Sequence, residues 1–225
     1  MDIGKALTYM FDDENWLMKI LMGGLFSLLS VILIGIPFVL GYMVETIKNV
    51  MDGVPSPLPE WDNLGEKFTK GLMLALILFI YQIPNLLLQC VRIGAMLALA
   101  EADPEAAEKA TLIIQSCQGC FSLVWGLLVA AISPAVFVKY AQTEDFMAGF
   151  RFGELFDFIK TDLGNYVIAV LLTWLAGIVA LVGLCGLCIG VFFTGFWSRL
   201  VQAHLYGQLY QTISTESAVQ MGAEN

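Results

Sequence analysis

Long apolar stretches, separated by short polar segments, occupy most of this chain. Residues 17–40 carry one charged side chain, residues 71–100 carry another, and residues 111–138 and 166–197 carry none. A helix that crosses a bilayer needs about 20 mostly apolar residues. Transmembrane strands would instead give short segments of alternating polarity. The pattern therefore predicts an all-α fold, a polytopic transmembrane helical bundle.

Turn signals divide these stretches into about six predicted spans. Gly35-Ile36-Pro37 splits the first stretch, because Pro is well suited to open a helix. The predicted spans are Trp16–Ile34, Pro37–Met51, Gly71–Ala100, Lys109–Gln142, Tyr166–Val182 and Leu187–Gln211. Residues 1–212 are expected to form one integral membrane domain. The polar segment 213–225 is expected to be a disordered tail.

Composition and charge support a membrane location. Hydrophobic residues make up 58% of the chain, charged residues 14%, and the mean hydropathy is +0.77. The net charge of −9 argues against binding to nucleic acid. Basic residues favour the cytoplasmic side of a membrane protein. Two of them, Arg92 and Lys109, fall on the predicted outer side. The other nine are Lys5, Lys19, Lys48, Lys67, Lys70, Lys139, Arg151, Lys160 and Arg199. This bias predicts an inner-membrane protein with both termini in the cytoplasm.

A short pattern of the form apolar–Gly–charged–x–apolar recurs before the first, third and fifth predicted spans. Its copies are Ile3–Leu7, Leu64–Phe68 and Phe152–Phe156. Apolar residues at i and i+4 beside a charge suit a helix that lies in the membrane interface. The second span of each predicted pair also carries a Tyr as a candidate headgroup anchor. These are Tyr42, Tyr140 and Tyr206. The pattern predicts a threefold repeat of one interfacial helix and two spans. The alternative is a chance similarity between interfacial elements.

Two polar stripes interrupt the third and fourth predicted spans. The third carries Gln82, Asn85, Gln89 and Arg92, and the fourth carries Thr111, Gln115, Gln118 and Ser122. Spacings of three and four residues place each set on one helix face. Amide side chains in hydrocarbon need hydrogen-bonding partners. The stripes either bond to each other and fix the packing, or they line a solute path in which Arg92 contacts an anion.

Five cysteines allow a further hypothesis. Cys117/Cys120 and Cys185/Cys188 are C-x-x-C pairs, and Cys90 is single. Four thiolates are able to hold zinc or an iron–sulfur cluster, and an oxidising compartment would favour disulfides. The simpler interpretation is that these residues pack as small apolar side chains. We therefore expect no metal and no cofactor, with the two pairs kept as the candidate metal ligands.

No catalytic motif is evident in the sequence. It contains no phosphate-binding Gly loop, no G-x-S-x-G and no H-E-x-x-H. Its one histidine, His204, is expected at the cytoplasmic end of the sixth span in a structural role. The chain is therefore predicted not to be an enzyme.

Three stretches together resemble a known family. They are Asp2–Phe11, Leu58-Pro-Glu-Trp-Asp62 and Ala203-His-Leu-Tyr-Gly-Gln208. They are similar to a prokaryotic membrane family known as domain of unknown function 4013. The resemblance extends from residue 2 to about residue 210 and implies no activity, because the family has no settled one.

The leading functional prediction is a non-enzymatic scaffold, assembly factor or subunit of a membrane complex. Its expected partners are the lipid bilayer, other membrane proteins and further copies of the chain. The first alternative is a small transporter or channel with a polar path between the third and fourth spans. The second is an outer-face metal or redox site built from the two C-x-x-C pairs.

Overall fold

The computed structural model describes residues 1–99, 103–185 and 189–223, apart from the side chains of Cys185 and of residues 216–223. Most of the described residues are helical, and none of them lies in a β-strand. Their eight α-helices are α1 (Ile3–Thr8), α2 (Trp16–Leu29), α3 (Gly35–Met51), α4 (Leu64–Leu99), α5 (Pro104–Thr143), α6 (Phe152–Thr161), α7 (Leu163–Ala180) and α8 (Gly190–Ala223). The prediction of an all-α fold is confirmed.

The chain forms two compact units. The first comprises residues 1–75 and 134–225, and the second comprises residues 76–133. The nine basic residues predicted on the cytoplasmic side all belong to the first unit, and Arg92 and Lys109 belong to the second. The division of charge therefore coincides with the division of the fold.

Helix α8 is the central element of the first unit and packs against α1, α2, α3, α6 and α7. Phe196, Leu200 and Leu209 are fully buried along it. Its buried polar side chains are hydrogen-bonded, as burial of polar groups requires. Gly23 and Gly24 of α2 lie directly against aromatic rings of α8, where a Cβ atom would not fit.

Helices α3 and α4 cross at two glycines. A Cβ atom on Gly41 would overlap the Lys67 carbonyl, and one on Gly71 would overlap the Pro37 carbonyl. Small residues allow helix backbones to approach this closely in membrane proteins. The crossing fixes the start of α4 against α3.

The first apolar stretch folds as a short hairpin. Helix α2 ends at Leu29 and a 3₁₀ turn covers Ser30–Ile32, so the helix predicted to continue to Ile34 stops earlier. Leu33 adopts a left-handed backbone conformation with φ of 67°, which reverses the chain. Helix α3 then begins at Gly35, two residues before the predicted start at Pro37.

The prediction of an interfacial helix at Leu64–Phe68 is wrong. The segment Leu64–Phe68 is the beginning of α4 and is continuous with the long helix, so it is not a separate interfacial helix. The other two copies do open short helices, α1 and α6. The threefold repeat is therefore not confirmed.

The remaining helix bounds also differ from the predicted ones. Helix α5 begins at Pro104 instead of Lys109, because Pro suits the first turn of a helix. Helix α7 starts at Leu163, after Asp162 caps it through the Asn165 N–H. Helix α8 starts at Gly190 and continues to Ala223, so the described part of the predicted tail is helical.

Within the part of the chain that the structure describes, three helical segments are long and apolar enough to cross a membrane. They are Leu64–Leu99, Pro104–Thr143 and Leu163–Leu184. A fourth is possible if Ile3–Asp12 and Trp16–Ile32, which meet at an angle of 102°, count as one broken span. The prediction of about six spans is not confirmed, because α2 and α3 are short and the second half of α8 is polar.

The three tyrosines predicted as interface anchors lie inside the protein instead. Tyr42, Tyr140 and Tyr206 are each at most 3% exposed. The Tyr42 hydroxyl donates to the Pro59 carbonyl and that of Tyr140 to the Lys70 carbonyl. Their polar ends are therefore satisfied by the protein and not by lipid headgroups.

Candidate functional site

A buried ion-pair cluster lies at the base of the α2–α3 hairpin. The ammonium group of Lys19 lies 2.7 Å from the Asp13 carboxylate and 2.8 Å from that of Glu60. It also donates to the Leu58 carbonyl at 3.0 Å. The side chains of Lys19 and Asp13 are almost fully buried, while Glu60 is exposed. The cluster joins the start of α2 to the loop between α3 and α4.

Side chains from α2 and α3 hold the same loop in place, mainly by packing around its Trp61. The Tyr42 ring stacks on the Trp61 ring at a centroid distance of 4.4 Å, and the Phe26 ring stacks on Trp61 at 4.8 Å. The Trp61 indole N–H donates to the Lys19 carbonyl at 2.9 Å, and the Asn49 amide donates to the Pro57 carbonyl. Residues Pro57, Leu58 and Pro59 of the proline-rich loop are thus part of the packed interior.

Three further lysines pair with carboxylates around the base of α4. Lys67 is buried and lies 2.7 Å from Glu45 and 3.4 Å from Asp62. Glu144 accepts from both Lys48 and Lys70, at 2.7 and 3.0 Å. The Glu144 carboxylate therefore links the end of α3 to the start of α4, just beyond the end of α5.

Two carboxyl groups of these clusters have lowered pKa values. Burial alone would raise the pKa of Asp13, but hydrogen bonds from Lys19, the Asn15 backbone and Ser56 outweigh it. Burial likewise opposes ionisation of Glu144, and the hydrogen bonds from Lys48 and Lys70 lower its pKa overall. Both groups are held as carboxylates by their lysine partners.

A cavity of about 410 Å³ opens beside α1, the α3–α4 loop and α8, within the first unit. Its lining includes the apolar side chains of Val50, Val54 and Pro55 and the polar side chains of Lys5, Gln211 and Thr212. Volumes of this size accommodate small molecules. Chemically, the lining offers both hydrogen-bonding groups and apolar surface to a small molecule.

Gln208 joins the N-terminal segment to His204 at this cavity. The Gln208 amide oxygen accepts from the Asp2 N–H at 2.7 Å, and its amide nitrogen donates to the Asp2 carbonyl at 3.0 Å. The same nitrogen lies 3.0 Å from His204 Nδ1. Because that nitrogen is a donor, Nδ1 accepts, and the neutral ring carries its hydrogen on Nε2. His204 also packs on the Tyr9 ring at 4.3 Å, so it positions α1.

The second unit is a helical hairpin that brings parts of the two polar stripes together. The Ser122 hydroxyl donates to the Asn85 amide oxygen at 2.8 Å, and the Trp125 indole donates to the Tyr81 carbonyl at 2.8 Å. Gln118 is buried, and the Thr111 hydroxyl lies 3.6 Å from the Met96 sulfur. These contacts join the two helices along their polar faces.

The other members of the stripes do not contact the neighbouring helix through the hydrogen bonds described above. Gln82 and Gln115 are exposed on the surface of the hairpin. Gln89 and Arg92 are half-buried and bond to each other within α4 at 3.2 Å. The amide groups of the stripes thus divide into an internal set and an outward-facing set.

The described cysteines are free. Cys90, Cys117 and Cys120 are exposed on the hairpin. Cys188 and the side chain of Cys185 lie outside the described residues, so the predicted pairing of the two C-x-x-C motifs is not addressed. Among the described side chains, no group of three or more His, Cys, Asp or Glu residues is arranged to hold a metal ion.

The cavity and the buried ion pairs are not evident from the sequence. The sequence predicts Lys19 and Lys67 only as basic residues on the cytoplasmic side. The neighbouring sequence does not indicate that carboxylates from other segments pair with them. The one sequence feature that pointed to these places was the family resemblance, which rests partly on Leu58-Pro-Glu-Trp and Ala203-His-Leu-Tyr-Gly-Gln208. These segments lie at the ion-pair cluster and at the cavity, respectively.

A family model described as "Protein of unknown function (DUF4013)" matches residues 25–205, which is more than half of the chain. Searches of curated proteins and of solved structures find no match.

Proposed function

Because this chain belongs to DUF4013, a family of unknown function, we propose its function from its own residues. It is a non-enzymatic integral membrane protein that serves as a scaffold, assembly factor or subunit of a membrane complex. It resides in the inner membrane with both termini in the cytoplasm. The distribution of basic residues between the two units supports this orientation.

The outward-facing amides of the hairpin 76–133 carry the proposal. Leu87 and Val91 are 62% and 67% exposed, as expected for a helix surface in contact with lipid. Gln82 and Gln115 are also exposed, but their side chains end in amide groups. An amide in hydrocarbon gains hydrogen bonds from a partner helix, and such bonds join membrane helices. We therefore assign the face that carries Gln82 to contact with another membrane protein.

The internal amides argue for the same function. Asn85 and Ser122 bond to each other, and Gln118 is buried. A transport path along the stripes would need these groups to face water. Their mutual contact favours a closed hairpin over the transporter alternative.

Site-specific photo-crosslinking in native membranes tests the proposal. A photoreactive amino acid at Gln82 is expected to give one discrete protein adduct, of the same size in independent preparations. The matched control carries the same group at Leu87, which is exposed and apolar, and is expected to give lipid adducts only. Equal protein adducts at both positions, or none at Gln82, would contradict a partner-binding face.

A further inference from the structure

The tip of the α2–α3 hairpin is apolar and exposed. Its four residues Val31, Ile32, Leu33 and Ile34 are 56–71% exposed. The long hairpin 76–133, by contrast, carries acidic residues where its two helices are joined: Asp103 just before α5, and Glu105 and Glu108 in the first turns of α5. A turn that reaches the water beyond a membrane normally carries polar residues of that kind. The tip of the α2–α3 hairpin therefore has the composition of a segment in hydrocarbon.

The arms of this hairpin are too short to cross a bilayer. Lys19 on α2 and Glu45 on α3 both belong to ion pairs, with Asp13 and Lys67 respectively. Val31 lies 12 residues after Lys19, and Leu33 lies 12 residues before Glu45. At 1.5 Å per residue, each arm rises about 18 Å above its charged group. The hydrocarbon core is about 30 Å thick, so the tip ends inside it.

Two hydrogen bonds join backbone groups within the turn. The Leu33 N–H donates to the Ser30 carbonyl at 3.0 Å, and the Ile36 N–H donates to the Leu33 carbonyl at 3.4 Å. Ser30 and Ile34 have right-handed helical backbone angles, and Leu33 between them is left-handed. An unsatisfied backbone polar group is costly in hydrocarbon. The two hydrogen bonds therefore lower the free-energy cost of placing the turn there.

Gly35 closes the turn. A Cβ atom at this position would overlap the Phe26 carbonyl, so the two arms touch at the tip without space for a side chain. The hydroxyl of Ser30 is also satisfied, because it donates to the same carbonyl at 3.0 Å. No polar side chain of the tip is left to draw it toward water.

We propose that the α2–α3 hairpin is re-entrant, with its tip Val31–Ile34 inserted among the lipid acyl chains and ending inside the hydrocarbon core. The surface that it presents binds lipid, and both arms return to the side on which the ion pairs lie. The proposal rests on the proposed membrane location, and it replaces the first two predicted spans.

Cysteine labelling of the full chain in sealed lipid vesicles tests the proposal. The five native cysteines are replaced by alanine, and single cysteines are introduced by Leu33→Cys and, as a second site, Val31→Cys. A membrane-impermeant maleimide is applied from each side in turn. A nitroxide attached at the same sites then reports its exposure to oxygen, which concentrates in hydrocarbon, and to a water-soluble nickel complex.

We expect both sites to resist the maleimide from either side and to show high exposure to oxygen and low exposure to nickel. Labelling of Leu33→Cys from the side opposite the ion pairs would mean that the hairpin crosses the membrane. Labelling from the same side as the ion pairs would mean that the tip lies in water. Low exposure to both oxygen and nickel would mean that protein covers the tip. Each of these results would overturn the proposal.

Two control variants separate this proposal from the proposed function. Asp52→Cys marks the exposed loop after α3, and Glu105→Cys marks the turn of the hairpin 76–133. We expect the maleimide to reach them from opposite sides. Labelling of both from one side would contradict the crossing of the second unit, whereas the oxygen and nickel exposure of Leu33→Cys would still decide the position of the tip.

Discussion

The ammonium group of Lys19 lies 2.7 Å from the Asp13 carboxylate, with 4% and 7% of the two side chains exposed. Removing either partner of a buried ion pair is strongly destabilising, because the remaining charge is then buried without compensation. The pair also places Lys19 within reach of the Leu58 carbonyl. It therefore anchors the proline-rich loop to the start of α2.

The variant Lys19→Met is expected to be strongly destabilised. It removes the cation and leaves the Asp13 carboxylate buried without its partner, which typically costs about 3–5 kcal/mol. Thermal unfolding in detergent micelles measures the loss. The double variant Asp13→Asn/Lys19→Met is expected to recover part of it, because no buried unpaired charge remains and the Glu60 carboxylate is exposed to solvent.

Lys109→Met is the matched control for this prediction. Lys109 pairs with Glu105 at 2.7 Å, but both side chains are at least 70% exposed. Exposed pairs contribute about 0–1 kcal/mol, so this variant should unfold near the wild-type temperature. Similar losses in Lys19→Met and Lys109→Met would refute a special role for the buried pair.

Gly71→Ala is expected to weaken the crossing of α3 and α4. A methyl group at this position meets the Pro37 carbonyl, and overpacking typically costs about 1–3 kcal/mol. The control Gly126→Ala adds a methyl group where no atom lies within 4 Å, and it should be neutral or slightly stabilising. Unfolding curves of the two variants in the same detergent make the comparison. A neutral Gly71→Ala would show that the helices do not approach this closely.

Acidification is expected to destabilise the first unit through Glu144. The pKa of Glu144 is lowered in the fold from its usual 4.5. Its stabilising contribution is therefore complete above about pH 4.5 and is lost as the pH falls through the lower value of the folded state. Glu144→Gln lacks this contribution at every pH. The stability difference between wild type and Glu144→Gln, followed from pH 7 to pH 3, should shrink below about pH 4.5. A constant difference would contradict the assignment.

Ser122→Ala is expected to loosen the hairpin 76–133 slightly. The variant removes the 2.8 Å hydrogen bond to Asn85, and such bonds between membrane helices contribute roughly 0.5–1.5 kcal/mol. Resistance of the hairpin to proteolysis in detergent, with Ser116→Ala at an exposed position of α5 as control, reports the change. Equal resistance in both variants would mean that the polar faces do not hold the hairpin together.

The long helices were predictable and the ionic interior was not. Uninterrupted apolar stretches indicated α4, α5 and α7, because length and hydropathy alone distinguish them. The embedding of Trp61 depends on Phe26 and Tyr42 meeting it in space, which no local pattern encodes. The chain reverses at Leu33, before the predicted end of the first span. The sequence Gly35-Ile-Pro37 indicated a turn but not the residue at which the chain reverses.

The candidate site was predictable to a similar extent. Helical spacing placed Asn85 and Ser122 on facing polar stripes, and they do bond to each other. The same spacing did not indicate that Gln82 would face outward, because the side of the stripe that contacts the neighbouring helix depends on how the two helices pack.

The central claim is that the hairpin 76–133 is a membrane element with no water between its two helices. Cysteine accessibility along the polar stripes tests it most directly. Single cysteines replace Gln82, Asn85, Gln89, Gln115 and Gln118 in a chain without native cysteines, with Glu105→Cys as the reactive control. In intact membranes we expect an impermeant thiol reagent to label the control and leave all five positions unlabelled. Labelling at Asn85 and Gln118 would show that water enters between the helices, and a transport path would then replace the scaffold as the function of this protein.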